Sequence, residues 1–310
     1  MNWLKKPAPP LLRKVVILTI SINVVVMFLI EQYLAGIIFI SILLGDFLNN
    51  KNLKKTDKEI NTDIAEAMAK KIVEDAMSKF PWIKLVSVHA NSPRSRGEKI
   101  ARLFNYGVKS IDHDWEFCSK IDADMILPEG YFRQILEEFE NEENLGIASG
   151  NCFIQRKGEK VIEKVEPSHT RGGLKTYRRE CFESIGGVME MDGWDGIDNA
   201  ICLHQGWITK NIEGLLAEQT RDTGKKYGSL GESYKTGVKS HIMGYSWAYL
   251  VAKSIFQMPR KPRVIGSFLI LMGFIASKIT RVENMGDKAV MENLRKFQRK
   301  RLKEIIFREL

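Results

Sequence analysis

The sequence lacks several features that often place a chain in a functional class. Its four cysteines are widely spaced and form no Cys-x-x-Cys pair, which argues against a zinc site or a disulfide framework and favours a reducing compartment. No glycine-rich, lysine-containing phosphate loop occurs near the N-terminus, which argues against a nucleotidyltransferase. No small-residue cleavage site follows the first apolar run, so we expect no removable signal peptide.

Apolar runs long enough to cross a bilayer are also missing. A spanning helix needs about 20 apolar residues, but Val264–Ser277 is uncharged for only 14 residues. Basic residues flank this run on both sides, as in an interfacial or re-entrant helix on an anionic membrane. A buried core helix explains the pattern equally well.

The N-terminal apolar region is open to two interpretations. Val15–Ile30 is uncharged for 16 residues and is slightly short for a membrane span. One interpretation is a strand, a helix and a strand at Val15–Asn23, Val24–Leu34 and Gly36–Leu44, which would open a Rossmann-like sheet. The other is a membrane anchor, which we favour slightly because the helix of the first interpretation would be apolar all round.

Positive charge is concentrated at the C-terminal end. The 310 residues have a formal net charge of +9, and Arg221–Leu310 alone holds 19 Lys and Arg against 7 Asp and Glu. A basic tail on a near-neutral body indicates an anionic partner. For the basic helix predicted at Asp287–Phe307, that partner is a membrane surface and not a nucleic acid, because the helix lacks the aromatic platform that binds single strands.

The body of the chain has the composition of a folded domain. Hydrophobic residues make up 44% of the sequence, which is enough to bury a core. Strand-like and helical stretches alternate, which predicts an α/β fold with a mainly parallel sheet flanked by helices. We divide the chain into an atypical N-terminal segment with a linker (1–60), an α/β domain (61–230) and a basic, apolar helical extension associated with a membrane (231–310).

The most informative stretch is Lys120–Pro128, which contains Asp122 and Asp124. It follows an apolar-leaning segment, and residues i and i+2 of an extended strand point to the same side. The two carboxylates are therefore expected to converge on one cation at the end of a strand. Hard oxygen ligands in low number suit Mg²⁺ or Mn²⁺, which often share their coordination with substrate phosphates. A surface turn that happens to carry two aspartates is the simpler alternative.

A second cluster, His169–Trp207, is rich in glycine, tryptophan and aspartate. The glycines beside Trp194 predict a tight loop that projects its ring and the carboxylate of Asp195 into a pocket. A sugar ring stacks well on tryptophan, because its C–H face is apolar. Trp207 is interpreted as an ordinary core aromatic.

A basic loop, Asn91–Gly97, leads into a helix predicted at Glu98–Lys109. Arg96 and Lys99 lie at that junction, where they could meet a phosphate. Solvated surface charge is the simpler interpretation of both residues.

With both clusters in view, the chain from about Pro81 to Lys303 resembles the family 2 glycosyltransferases of the GT-A fold, in the branch with a hydrophobic, basic C-terminal extension. No single motif is decisive, but their order and spacing together are fairly specific. The matching stretches are Pro81-Trp82-Ile83-Lys84, Lys120-Ile121-Asp122-Ala123-Asp124, Tyr177-Arg178-Arg179-Glu180-Cys181 with Ile185-Gly186-Gly187, Gly193-Trp194-Asp195-Gly196-Ile197-Asp198 and, more weakly, His241-Ile242-Met243-Gly244-Tyr245.

The resemblance implies roles for individual residues. Asp124, helped by Asp122, would hold the divalent cation on the donor diphosphate. Asp195 would be the general base, with Asp198 as the alternate. The other implied site residues are Arg171 and Gly172 on the wall between the donor and acceptor pockets, Arg221 approaching the diphosphate, and Asp63 at the end of the run that binds the nucleoside.

Two regions depart from the family pattern. Members of the family bind the nucleoside with an acidic run after a second strand, whereas here Lys58-Glu59-Ile60-Asn61 replaces the start of that run and no apolar strand directly precedes it. Gln219-Thr220-Arg221 stands where the family often has His-His-Arg, so a histidine is missing as a third metal ligand.

The resemblance implies a metal-dependent, inverting glycosyltransferase at the cytoplasmic face of the cell membrane. It would move a sugar from a nucleotide-sugar donor to a lipid-linked or polysaccharide acceptor of the cell envelope. A metal ion would neutralise charge on the leaving diphosphate, and a carboxylate would take the proton of the acceptor. The alternative is a catalytically impaired relative that serves as a binding or scaffold protein at the membrane, as the altered N-terminal region suggests.

Overall fold

The computed structural model describes residues 17–19, 24–29, 37–41, 70–80, 83–87, 97–111, 114–156, 158–162, 165–220, 228–258 and 262–308. These residues form a mixed α/β structure, which confirms the α/β class predicted from the alternation of strands and helices, although the sheet is not mainly parallel as predicted. The chain divides into two compact units, Met1–Met191 with Trp207–Arg221 and Asp192–Gly206 with Asp222–Leu310. The stretch Asp192–Gly206, which the sequence placed with the body, therefore groups with the C-terminal helices.

One sheet organises the first unit. Its strands are β1 (Ile17–Thr19), β2 (Val24–Leu29), β3 (Ile37–Ser41), β4 (Ile83–Ser87), β5 (Phe117–Asp122), β6 (Met125–Ile126), β7 (Leu145–Arg156), β8 (Glu159–Ile162), β9 (Leu174–Arg178) and β10 (Ile208–Gln219). They follow the order β4-β2-β1-β3-β5-β9-β7-β10-β6, with β8 paired to β7. The sheet is mixed, because β9 runs antiparallel to both β5 and β7, whereas β3 is parallel to β5 and β10 is parallel to β7.

The helices divide between the two units. Those of the first unit are α1 (70–79), α2 (Glu98–Lys109), α3 (Tyr131–Asn141) and α4 (Arg179–Ser184), and those of the second are α5 (Trp194–His204), α6 (Gly228–Ile242), α7 (Trp247–Gln257), α8 (Arg263–Ile279) and α9 (Lys288–Arg308). Within the described part of the chain, no helix combines the length and the apolar character that crossing a bilayer requires.

The described part of the N-terminal region supplies strands to the sheet. Val24–Leu29 is extended, whereas one of the two interpretations expected a helix there. Three consecutive valines explain the difference, since β-branched residues favour a strand. Strand β3 pairs in parallel with β5, and Ser41 lies opposite Asp122.

Strand β5 is buried by helices on both faces. On one face, the Phe117 ring packs on Phe139 of α3, with 4.7 Å between ring centroids. On the other, Tyr177 of β9 packs on Phe104 of α2 and Phe182 of α4, with centroid distances of 5.8 and 5.4 Å. A strand covered in this way presents only its end to solvent, so polar groups at the carboxyl end of β5 are held by a rigid base.

Arg178, which the sequence singled out as part of a family motif, has a structural role. Its guanidinium donates to the backbone carbonyls of Leu145 (3.0 Å), Phe139 (2.7 Å) and Glu142 (3.3 Å). Two of these carbonyls lie at the C-terminal end of α3, where helical carbonyls lack partners within the helix. Arg178 therefore joins the end of α3 to the start of β7.

Tyr131 joins α3 to the centre of the sheet. Its buried hydroxyl accepts a hydrogen bond from the amide of Gly150 (2.9 Å) and donates to the carbonyl of Leu174 (3.3 Å). Burial raises the pKa of this phenol well above its usual value. Tyr131 therefore satisfies backbone groups of two neighbouring strands, β7 and β9.

Replacing Tyr131 with Phe tests this bridge. The variant keeps the ring but leaves the buried amide of Gly150 without its acceptor, so we expect the free energy of unfolding to fall by about 1–3 kcal/mol. Urea denaturation of the wild type and the variant measures the change. A loss below about 0.5 kcal/mol would show that the hydroxyl is not a structural bridge. Tyr106→Phe, at an exposed position of α2, is the matched control.

Candidate functional site

The acidic stretch lies where β5 ends. Asp122 is the last residue of β5, Ala123 and Asp124 form a turn, and Met125 begins β6. The expectation that both aspartates share one extended strand is therefore wrong. The chain turns between them because β6 pairs with β10 and does not continue along β5.

The turn is fixed to the end of β10. The carbonyl of Asp124 accepts hydrogen bonds from the backbone amide of Thr220 (2.9 Å) and from its hydroxyl (3.1 Å). Gln219 pairs with Met125 in the antiparallel ladder. Residues 219–220, which replace two histidines of the family pattern, thus adjoin the acidic turn and hold its backbone.

A buried lysine accompanies Asp122. The ammonium of Lys120 forms an ion pair with Oδ1 of Asp122, and the two side chains are 1% and 17% exposed. Lys175 of β9 lies directly opposite Lys120 and is also fully buried. Side chains at opposite positions of an antiparallel pair share a face of the sheet. The face of β5 that ends in Asp122 therefore carries a buried lysine and has a second buried lysine opposite it on β9, a feature that the sequence reasoning missed.

The turn before β9 packs directly on Asp122. The amide of Asp122 donates to the carbonyl of Gly173 (2.9 Å). A Cβ atom at Gly173 would lie 2.8 Å from Oδ2 of Asp122 and 2.8 Å from Cε of Met125. Arg171 and Gly172, predicted to line the wall between the two pockets, belong to this turn, so the structure brings them next to Asp122.

Buried polar side chains of β7 and β10 support the turn before β9. The hydroxyl of Ser149 accepts a hydrogen bond from the amide of Arg171 (2.9 Å). The side-chain amide of Asn211 donates to the Ser149 hydroxyl (3.2 Å) and to the carbonyl of Gly150 (3.1 Å). Polar residues inside otherwise apolar strands were the sequence signal that could have identified this support.

A divalent cation at the carboxyl end of β5 would have few protein ligands. Among the described residues, no group of three or more His, Cys, Asp or Glu side chains is placed to hold a metal ion. Mg²⁺ is commonly bound by one or two carboxylates together with substrate phosphates. Lys120 engages Oδ1 of Asp122, so a cation would use Oδ2 and the side chain of Asp124.

Substituting Gly173 with Ala tests whether Asp122 is a ligand. The new methyl group would displace the end of Met125 and the Asp122 carboxylate, which is paired with buried Lys120. We expect Mn²⁺ to bind at least about tenfold more weakly, as measured by the paramagnetic resonance of free Mn²⁺, and the melting temperature to fall because the ion pair is disturbed.

Gly214→Ala is the matched control for this substitution. Gly214 lies in β10, and nothing lies within 4 Å of the position of its Cβ atom. Equal Mn²⁺ affinities of the two alanine variants would remove Asp122 from the cation site.

Only residues 192–206 of the second cluster belong to the second unit, and helix α5 begins among them. Gly193 precedes the helix with a φ of 87°, in the left-handed region that favours glycine. Asp195 lies half-buried in the first turn, a position where the helix dipole favours negative charge. Asp198 is 1% exposed, and its Oδ1 accepts from the amide of Asn199. Of the two carboxylates predicted as bases, Asp195 is the one with access to solvent.

The tryptophans of this region differ from expectation. Trp194 is 6% exposed, so its ring is a buried side chain and does not project from the glycine-rich loop. Trp207, expected in the core, is only half-buried, and its indole N–H donates to the hydroxyl of Ser184 (3.1 Å). The bulk of an indole ring favours burial wherever space exists, and flanking glycines do not override that preference.

Aromatic and basic side chains accompany Asp195 within the second unit. Burial and, secondly, the charge of the Asp195 carboxylate raise the pKa of Tyr245 to about 12. Tyr249 packs edge-on against Tyr245, with 5.7 Å between ring centroids. The ammonium of Lys253 lies 5.2 Å from the centroid of Tyr245, and burial lowers its pKa. The weakest sequence motif, which ends at Tyr245, therefore lies near the predicted base.

Helix α9 fixes the loop that carries Tyr245. Arg295 donates to the carbonyl of Gly244 (2.8 Å), and Gln298 accepts from the amide of Ser246 (3.0 Å). Gly244 has a φ of 69°, and a Cβ atom there would lie 2.3 Å from the sulfur of Met291. The position of Tyr245 thus depends on packing between elements that are distant in sequence.

The pH dependence of stability tests the coupling between Tyr245 and Asp195. An unfolded tyrosine releases its proton near pH 10, whereas folded Tyr245 keeps it to about pH 12. Its stabilising contribution is therefore fully present below about pH 10 and is lost as the pH rises through about 12. We expect the unfolding free energy of the wild type, relative to Tyr245→Phe, to fall by up to about 2 kcal/mol across this window.

Urea unfolding of both proteins at a series of alkaline pH values measures this difference. Asp195→Asn removes the carboxylate and should reduce the fall, because its charge is one cause of the raised pKa. If the difference in unfolding free energy between the wild type and Tyr245→Phe does not change with pH, the pKa of Tyr245 is not raised in the folded protein.

The structure does not test the roles predicted for four of the site residues. Asp63, Arg96 and Arg221 lie outside the described residues, and their roles stay predictions. Lys99 is half-buried in the first turn of α2, and phosphate binding by Lys99 also stays a prediction.

Comparison with known proteins gives a distant structural likeness. No family model matches the sequence, and no curated protein matches it. A similar solved structure is the mannosyltransferase PcManGT from Pyrobaculum calidifontis in complex with GDP-Man and Mn²⁺. The identity is 14% and the TM-score is 0.46, and the match covers 94% of this chain and 83% of that chain. A likeness this distant does not transfer an activity.

Proposed function

We propose that the protein is a cation-dependent glycosyltransferase of GT-A type that moves a sugar from a nucleotide-sugar donor to a lipid-linked or polysaccharide acceptor. The observation that carries the proposal is the acidic turn Asp122-Ala123-Asp124 at the carboxyl end of buried strand β5. Ligands of α/β sheets bind beyond the carboxyl ends of the strands. The resemblance to family 2 glycosyltransferases, noted from the sequence, rests on the same residues.

The donor side of the site is assigned to the end of β5. Asp122 and Asp124 hold Mg²⁺ or Mn²⁺, which neutralises charge on the leaving diphosphate when bound. Lys120 fixes one oxygen of Asp122 and adds positive charge where an anionic group departs. Gly173 leaves room for the carboxylate, because any side chain there would displace it.

The acceptor side is assigned to Asp195. A general base must reach the proton that it removes, and Asp195 is half-buried whereas Asp198 is fully buried. Asp195 takes the proton of the acceptor hydroxyl as that oxygen attacks the anomeric carbon, and the bond to the diphosphate breaks on the opposite side. One displacement of this kind inverts the anomeric centre.

The cellular setting of the proposal is the cytoplasmic face of the cell membrane. All four cysteines are buried and free, in keeping with a reducing compartment. The basic C-terminal region would lie against anionic head groups, close to a lipid-linked acceptor.

Two substitutions test the assignment of roles. Asp124→Asn should abolish both Mn²⁺ binding and Mn²⁺-dependent hydrolysis of nucleotide sugars, because the amide replaces a charged ligand. Asp195→Asn should lower transfer at least about a hundredfold and leave nucleotide and Mn²⁺ binding within about twofold of the wild type. Calorimetric titration and a diphosphate-release assay, over a panel of nucleotide sugars, give the two readouts.

The outcomes also distinguish the enzyme from a scaffold protein. A wild type that binds nucleotide and Mn²⁺ but releases no diphosphate with any donor or acceptor would favour the scaffold. Equal losses of binding and turnover in Asp195→Asn would move the base to another residue.

A further inference from the structure

Helix α8 is fixed to the second unit by one face. A Cβ atom at Gly273 would lie 2.1 Å from the carbonyl oxygen of Tyr234, and one at Gly237 would lie 2.0 Å from that of Ile270. The backbones of α6 and α8 therefore touch at these two glycines. On the α7 side, the buried hydroxyl of Ser267 donates to the carbonyl of Ser254 (2.6 Å). These contacts determine which side of α8 faces outward.

The outward side of α8 is apolar. Phe268 is 60% exposed and Ile279 is 75% exposed, although both are large hydrophobic residues. Together with four neighbours at helical spacing they form what we call the outer stripe: Val264, Ile265, Phe268, Met272, Ile275 and Ile279. The sequence left a buried core helix and an interfacial helix as equal alternatives. In the structure, α8 has one buried face and one exposed apolar face. Apolar surface of this extent, gathered on one helix, is typical of an interaction site.

The charges around the outer stripe are positive. Helix α8 contains no Asp or Glu, and Lys278 and Arg281 are exposed at its C-terminal end. Arg221–Leu310, which includes both of these residues, has 19 Lys and Arg against 7 Asp and Glu. An apolar helical face edged by basic residues matches the boundary between acyl chains and anionic head groups.

Arg281 adopts a strained backbone conformation. It has a φ of 54°, in the left-handed region where glycine is usual. Its amide donates to the carbonyl of Lys278 (3.4 Å), and the amide of Val282 donates to that of Ser277 (2.9 Å), the pattern of a Schellman C-cap. Glycine would form this cap without strain.

We propose that the outer stripe docks on the surface of an anionic phospholipid bilayer, with α8 lying in the plane of the interface. The inner face of the helix is already occupied by α6 and α7, so only the outer face enters the lipid. A second copy of the chain would also cover the apolar residues, but it would bring like charges together at a two-fold interface. The inference does not depend on the proposed sugar transfer.

Vesicle flotation of the full chain tests the proposal. We expect the wild type to float with vesicles of phosphatidylcholine and phosphatidylglycerol and to bind pure phosphatidylcholine more weakly. Phe268→Glu with Ile275→Glu should weaken binding to the anionic vesicles at least about tenfold. The matched control is Ile72→Glu with Val161→Glu, whose positions are 58% and 39% exposed against 60% and 36% in the stripe. The control should float as the wild type does.

Arg281→Gly tests the effect of the Arg281 charge on membrane binding separately from any effect on stability. The variant removes one cation and relieves a left-handed backbone, so its melting temperature should not fall, while binding to anionic vesicles should weaken about fivefold.

Wild-type protein that stays unbound, or a stripe variant that floats as well as the control, would overturn the proposal. Sedimentation equilibrium completes the test: a wild-type dimer that the stripe variant abolishes would assign the face to a second copy instead. Hydrolysis of nucleotide sugars in vesicle-free buffer should be the same in all these variants.

Discussion

The candidate donor site depends on the ion pair between Lys120 and Asp122 at the end of β5. Burying a lysine in a sheet is unfavourable unless its charge is compensated, and Asp122 supplies that compensation while remaining 17% exposed. Removing one partner of a buried pair typically costs about 3–5 kcal/mol. The pair therefore constrains the carboxylate to one orientation, and the turns at Asp124 and Gly173 are arranged around that fixed group.

The interior of the sheet explains how those turns are held. Tyr131, Ser149 and Asn211 place hydroxyl and amide groups where backbone groups of β7, β9 and the turn before β9 need partners. Unpaired buried backbone groups are costly, so each of these side chains specifies one arrangement of the strands. A hydrogen-bonded network inside the core therefore supports the site, in addition to the ion pair between Lys120 and Asp122.

The second unit carries both the predicted base, Asp195, and the exposed apolar stripe of α8. Helix α9 fixes the loop that carries Tyr245 in the neighbourhood of Asp195, and close glycine contacts fix α8 so that its apolar stripe faces outward. Close backbone packing demands glycine, since any Cβ atom would collide with a carbonyl oxygen. The proposed base and the proposed membrane-facing stripe therefore belong to the same unit.

Local pattern was enough to predict the α/β class and the acidic stretch at the end of a strand, because strand alternation and charge spacing are properties of neighbouring residues. The pairing of β9 antiparallel to β5, the burial of Trp194 and the approach of Tyr245 to Asp195 depend on contacts between distant segments. The turn between Asp122 and Asp124 is of the same kind, because β6 leaves the direction of β5 only to pair with β10. Long-range strand pairing and side-chain packing determine such features, and a short stretch of sequence specifies neither of them.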